Sequence, residues 1–224
     1  MKALKAALML ALVLGVIASG AVSLWLGRGV KLAVERYGPA FVGAPVSVGA
    51  VVLSPWSGRG TLRNLVVGNP PGFKGAHALT ARSVEVDLKL SSLAGDLIVV
   101  DRVTVRDPEV LYEVGFGGSN LSRLQQNAAE SSSRGAAAPG RAAPAKSLLI
   151  NELLVTGGRV GLSATALGGG GASLPMPDVR LTGLGGKGRS PAEAVSAAFA
   201  ALASAAGKAG AGVLGAVGGL LKGK

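Results

Sequence analysis

From Ala6 to Leu26 the chain runs for 21 residues without a charge, with Lys2 and Lys5 before the run and Arg28 and Lys31 after it. As a helix rising 1.5 Å per residue it would be about 31 Å long, the thickness of a bilayer's hydrocarbon core. A chain that begins this way is either anchored in a membrane or exported through one, since Ala18-Ser19-Gly20 before Ala21 also offers a small-residue cleavage site. The apolar run continues past that site through Val22, Leu24, Trp25 and Leu26, which favours a retained anchor. Positive charge on both flanks leaves orientation open, and the short leading tail places the N-terminus inside. On either reading the remainder of the chain is exported.

Beyond the anchor and the low-complexity stretches, about 120 to 130 residues remain for a core, enough for one small domain. Hydrophobic residues reach 49% but aromatics only 4%, so the apolar content is Ala, Val and Leu, which suits a thin sheet. Without cysteine, disulfides and thiolate metal sites are excluded, and His77 as the single histidine excludes a Ser-His-Asp triad or a three-histidine metal site. The net charge of +11 suits an anionic lipid surface. With 2 Trp, 2 Tyr and 4 Phe, no Cys/His finger and no helix-turn-helix pattern, nucleic acid is disfavoured as a partner.

After the anchor, residues 28–37 prolong the helix until Gly38-Pro39 stops it, and the hydrophobic period then changes to two. In the stretch from Ser83 to Leu90, Val84, Val86, Leu88 and Leu90 face one way, while Ser83, Glu85, Asp87 and Lys89 face the other. Similar runs at 46–53, 60–67, 97–105, 109–116, 148–155, 159–165 and 178–183 are separated by Gly, Pro, Asn and Asp turns. Residues 100–110 and 150–160 resemble each other at an offset of 50, each reading as strand, two-residue turn, strand. Residues 127–146, nearly all Ala, Ser, Pro, Gly and Arg, read as a flexible loop, and Gly168 to Gly171 as a hinge. Ser190, Pro191 and Glu193 signal the start of a helix with Val195, Phe199 and Leu202 on one stripe. The glycine-rich tail from Ala209 to Leu221 is too short to span a bilayer. The chain thus divides into an anchor and juxtamembrane helix (1–37), a β domain in two parts (40–126 and 147–189) interrupted by the loop (127–146), and a C-terminal helix and tail (190–224).

Little in this layout invites catalysis. Glu85 and Asp87 are two apart on one strand face, but Lys89 continues that face, so they read as a solvated polar stripe. Gly183 to Gly188 matches G-x-G-x-x-G, yet Glu193 is the last acid of the chain, so no carboxylate follows at the distance a ribose requires. It reads as a glycine loop, His77 as a solvated loop residue, and the chain as a non-enzyme without a cofactor.

The stretch from Gly43 to Phe73 contains Ala44-Pro45-Val46, Ser57 to Leu65 and, most specifically, Asn69-Pro70-Pro71-Gly72-Phe73. With the Val84 to Leu90 strand, Asp101-Arg102-Val103, Asp107 to Val110 and Gly118-Ser119-Asn120-Leu121, it resembles the N-terminal region of AsmA-like proteins of the Gram-negative envelope. The motif residues are Asn69, Pro70, Gly72 and Phe73. The resemblance implies a mostly β fold in which an inner-membrane helix carries an elongated, curved, groove-forming antiparallel sheet in the periplasm, here followed by an amphipathic helix. It also implies a part in phospholipid transport; on the lipid-binding reading Val84, Val86, Leu88 and Leu90, which alternation places on one face, line the groove. The alternative is a structural or assembly protein that uses the same apolar face to pack on an envelope partner or on its own C-terminal helix.

Overall fold

The computed structural model describes residues 2–115, 118–133, 146–163 and 172–222; in the two terminal helices it describes the side chains of Met9, of residues 19–42 and of residues 191–209. Helix α1 (Lys2–Val42) is followed by β1 (Val46–Ser54), β2 (Arg59–Val67), β3 (Leu79–Leu88), a 3-10 turn (Leu90–Ala94), β4 (Leu97–Gly115) and β5 (Gly118–Ser119). Then come α2 (Asn120–Ser133), β6 (Ser147–Thr156), β7 (Arg159–Ser163), β8 (Ala172–Pro175), β9 (Val179–Gly185) and α3 (Pro191–Lys222). The fold is mostly β: an open, mixed sheet in the order β1-β2-β3-β4-β6-β9, with β7 continuing the line of β6 beside the second half of β4 and β8 outside β7.

The sheet departs from the expected antiparallel plan at its centre. Strands β1 to β4 are antiparallel neighbours, but β4 pairs in parallel with both β6 and β7. A parallel pair needs a crossover, and the chain between β4 and β6 supplies one that contains α2. The 50-residue resemblance is the register of this pair: Val100 lies beside Ile150, Val103 beside Leu153 and Val110 beside Val160. Neither copy is a hairpin. At Asp107-Pro108 and at Gly157-Gly158 the backbone kinks and continues in the same direction, with Asp107 at φ 47° and Gly157 at φ 67°. Asn64, at φ 51°, falls on the same line two strands away, since its neighbour Leu65 pairs with Ala81 and Ala81 with Pro108. Asn, Asp and Gly are the residues that best tolerate this left-handed conformation.

Helix α1 also runs further than expected. It passes through Gly38-Pro39 and ends at Val42, followed by Gly43 at φ 66°, whose N–H donates to the Pro39 carbonyl at 2.8 Å. This is a left-handed C-terminal cap. Pro39 forfeits one helical hydrogen bond, but α2 secures the end: Asn127 Nδ2 donates to the Val42 carbonyl at 2.9 Å and Ser131 Oγ to that of Ala40 at 3.0 Å. Residues 127–133, expected in a loop, therefore belong to a packed helix in which Ala128 is fully buried. Residues 134–145, the hinge at Gly168 to Gly171 and the end of the strand expected at 159–165 lie outside the described residues.

One face of α1 seals the sheet edge. Ser23, Gly27, Lys31 and Glu35 recur every four residues: Ser23 Oγ donates to the Leu53 carbonyl, Lys31 Nζ to that of Val48, and the Val48 N–H donates to Glu35 Oε1 at 3.0 Å. Gly27 faces the Val51 carbonyl so closely that no side chain fits. The open edge of β1, otherwise a template for strand pairing, is covered. Among the described residues no helix is long and apolar enough to cross a membrane; the side chains of 6–18, Met9 apart, are not among them.

Helix α3 begins where expected, but half of its capping box is missing. The Ser190 N–H donates to Glu193 Oε1 at 3.2 Å, while Ser190 Oγ is buried without a partner. Its backbone stays helical through the tail to Lys222.

Candidate functional site

Cross-strand pairing gathers the apolar residues into rows on one face. Leu62, Val84, Val105, Val155 and Val179 form one row, Val86, Val103, Leu153 and Leu181 a second, and Leu88, Val100, Ile150 and Leu184 a third. Helix α3 lies over the β4, β6 and β9 part of this face with Ala194, Val195, Ala198, Phe199 and Leu202 turned inward. Between helix and sheet remains a cavity of about 280 Å³ whose lining is apolar throughout. Its size is at the lower end of small-molecule sites, and an apolar cavity of this kind stays dry or takes an apolar guest.

The four expected groove residues are not equivalent. Val84 is buried and lines the cavity; Val86 and Leu88 are half-buried further along the strand. Leu90 has left the strand for the 3-10 turn and is exposed, because the pairing of β3 with β4 slips between Asp87 and Leu88 and the alternation ends there. Sequence reasoning missed the cavity residues Leu148, Ile150, Ala194 and Ala198. The strand signal was present at 148–150, whereas alanines on α3 become specific only once it is known what they cover.

The opposite face is an ion-pair lattice. Arg59 meets Asp87 at 3.6 Å, Arg106 grips Glu85 with two bonds of 2.7 and 3.0 Å, and Glu152 accepts from both Arg102, at 2.7 Å, and Arg180. Glu85 and Asp87 are thus members of a polar stripe paired across strands. The Arg106 guanidinium holds the Glu85 carboxyl below its usual range, and Arg102, with Arg180, does the same for Glu152. Folded values below unfolded ones mean that the stabilisation is complete above the unfolded carboxylate range, about 4.3, and is lost as pH falls through the folded values. Melting temperature should therefore be flat from neutrality down to about pH 5 and fall below about pH 4. The double substitution Glu85→Gln, Glu152→Gln should flatten that acid limb. An unchanged limb would show that these exposed pairs contribute nothing, as many surface pairs do.

The Asn69 to Phe73 motif builds a latch. Asn69 Nδ2 donates to the Gly75 carbonyl at 2.8 Å, and the Lys74 and Gly75 N–H groups donate to the carboxylate of Glu113 at 2.9 Å each. Asn120 Nδ2 donates to Asn69 Oδ1 at 2.8 Å and to the Leu111 carbonyl at 2.7 Å, while Asn120 Oδ1 accepts from the N–H groups of Glu113 and Leu121. Pro70 is buried, Gly72 turns the loop at φ 96°, and Phe73 is half-buried, its N–H donating to Pro70 O at 3.4 Å. The motif is architectural, fastening the loop between β2 and β3 to β4 and the start of α2. Asn120 belongs to the Gly118 to Leu121 element quoted for the resemblance, whereas Glu113 was not singled out from sequence; an acid in an alternating apolar strand was the available signal.

A polar groove of about 1000 Å³ follows the line of kinks, bordered by Asn64, Arg82, Asp107 and Arg159. Of the expected glycine loop, Gly183 to Gly185 are the end of β9; the loop that follows closes the sheet end, with Gly186 N–H donating to the Leu148 carbonyl at 2.8 Å, and Gly185 leaves no room for a side chain beside that carbonyl. His77 is half-buried in the loop before β3. Among the described residues no three His, Cys, Asp or Glu side chains converge as metal ligands. No protein-family model matches the chain, and no curated protein matches it.

Proposed function

We propose that this chain is a non-catalytic, AsmA-like envelope module: an inner-membrane anchor, Ala6 to Leu26, with its N-terminus in the cytoplasm, carrying a periplasmic sheet that shelters a phospholipid acyl chain. The observation that carries the reading is the apolar cavity between the sheet face and α3, with no polar side chain to recognise a soluble ligand. The basic balance of the chain suits anionic headgroups. A second reading, a structural protein without cargo, is favoured by one observation: α3 already covers the centre of the face.

Ala198→Leu separates them, because Ala198 lines the cavity and is half-buried. If an acyl chain occupies the space, phospholipid co-purified in detergent and measured by mass spectrometry should fall several-fold without a gain in stability. If the space is empty, filling it should raise the unfolding free energy by about 0.5 to 2 kcal/mol. Wild-type protein carrying no more lipid than an unrelated single-span protein in the same detergent would sink the lipid reading.

A further inference from the structure

The docking of α1 fixes which end of the domain faces its N-terminal run. Ser23 meets Leu53, Gly27 meets Val51, Lys31 meets Val48 and Gly38 meets Val46, so the helix rises past β1 toward the β1–β2 turn. The part of α1 from Lys2 to residue 21 therefore emerges at the end of the sheet formed by that turn, the 3-10 turn and the Gly186–Arg189 loop. These pieces are joined: the Leu88 N–H donates to Gly58 O at 2.9 Å, Lys146 Nζ to Leu93 O at 2.7 Å and the Gly188 N–H to Ser147 Oγ at 3.0 Å.

Exposed apolar side chains are concentrated at this end. Among the described residues outside α1, the exposed large ones are Val52, Trp56, Leu90, Leu93 and Val114, and only Val114 is at the opposite end. Trp56 is 74% exposed and Trp25, on the emerging helix, 77%. A soluble surface scatters such residues singly; tryptophan at the base of an apolar helix is characteristic of the membrane interface. Lys89, Lys146, Lys187 and Arg189 are exposed at the same end, against Asp96 and the Glu193 that approaches Arg189 at 4.0 Å.

We infer that this end of the sheet rests on the membrane surface, with Trp56, Leu90 and Leu93 in the interfacial layer and Lys89 and Lys187 on anionic headgroups. The inference rests on the proposed anchor but not on lipid cargo. It orients the long direction of the strands away from the bilayer.

The test uses the full chain carrying Trp25→Phe, which leaves Trp56 as the one remaining tryptophan of the two. It is reconstituted in phosphatidylcholine and phosphatidylglycerol vesicles brominated either near the headgroup end or near the far end of the acyl chains. Trp56 emission should fall by roughly twofold with shallow bromines and by less with deep ones. Lys89→Glu with Lys187→Glu should reduce the quenching in phosphatidylglycerol vesicles but not in pure phosphatidylcholine. Protein that stays with the vesicles through alkaline extraction, yet is quenched by neither lipid, would overturn the inference and leave the anchor standing. Protein released by that extraction would overturn the anchor, and this inference with it.

Discussion

Asn120→Ala should lower the unfolding free energy by about 3 to 5 kcal/mol, because one fully buried amide serves four partners. Its removal leaves Asn69 Oδ1 and the Leu111 carbonyl without a donor and the N–H groups of Glu113 and Leu121 without an acceptor. A buried group left unpaired costs about 1 to 3 kcal/mol, and some of the four will find water. The loss is a large share of the 5 to 15 kcal/mol typical of a whole domain. Asn69→Ala breaks only two of the latch's bonds and should cost about 1 to 2 kcal/mol. The double variant should fall short of the sum, because both changes remove the same Asn69–Asn120 bond. Denaturant midpoints at constant slope measure all three. Full additivity would mean that the two amides do not act through each other. Limited proteolysis gives a second readout, since loss of the latch should open cleavage between residues 68 and 78 before the sheet unfolds.

What the sequence disclosed, and what it withheld, follows from the range of the interactions involved. Strand positions were legible because alternation is local: the expected runs at 46–53 and 60–67 differ from β1 and β2 by one residue at one end, and that at 148–155 from β6 by one residue at each end. The start of α3 at Pro191 was legible for the same reason. Direction was not. A parallel partner for β4 depends on where α2 carries the chain, and the composition of 127–133 hides a helix in which Asn127 and Ser131 bond to the end of α1 and Ala128 is fully buried. Proline and glycine misled at Gly38-Pro39 because their intrinsic preference is weak beside tertiary contact: Gly38 lets α1 approach Val46, and Asn127 secures the carbonyl end. At Asp107-Pro108 and Gly157-Gly158 the turn residues were correctly noticed, and the repeat with them. Those residues satisfy a kink as readily as a reversal, and only pairing with the neighbouring strand decides between the two. The apolar face was found on β3 alone; its covering could not be, since the alanines of α3 carry no signature of what lies beneath them.

Val84→Asp and Leu88→Asp place the same charge on the same face of the same strand, four residues apart, and should have opposite consequences. Val84 is 8% exposed and walls the cavity between Leu62 and Val105. No cation among the cavity-lining residues can pair with a carboxylate there, and an unpaired buried charge costs several kcal/mol even when the group takes up a proton to escape ionisation. Val84→Asp should therefore leave little folded protein, seen as loss of accumulation or a melting temperature lowered by about ten degrees or more. Leu88 is half-buried in the last position of β3, beyond the register slip and beside the exposed Lys89 and Leu90. A carboxylate there reaches water and should cost no more than about 1 kcal/mol. If that end of the sheet meets the membrane, Leu88→Asp should still weaken the quenching of Trp56 by shallow bromines, because a charge at the headgroup margin costs more than one in open water. Equal tolerance of both substitutions would mean that α3 does not stay on the sheet and that the face is open along its length. Equal intolerance would extend the packed core to the end of the strand.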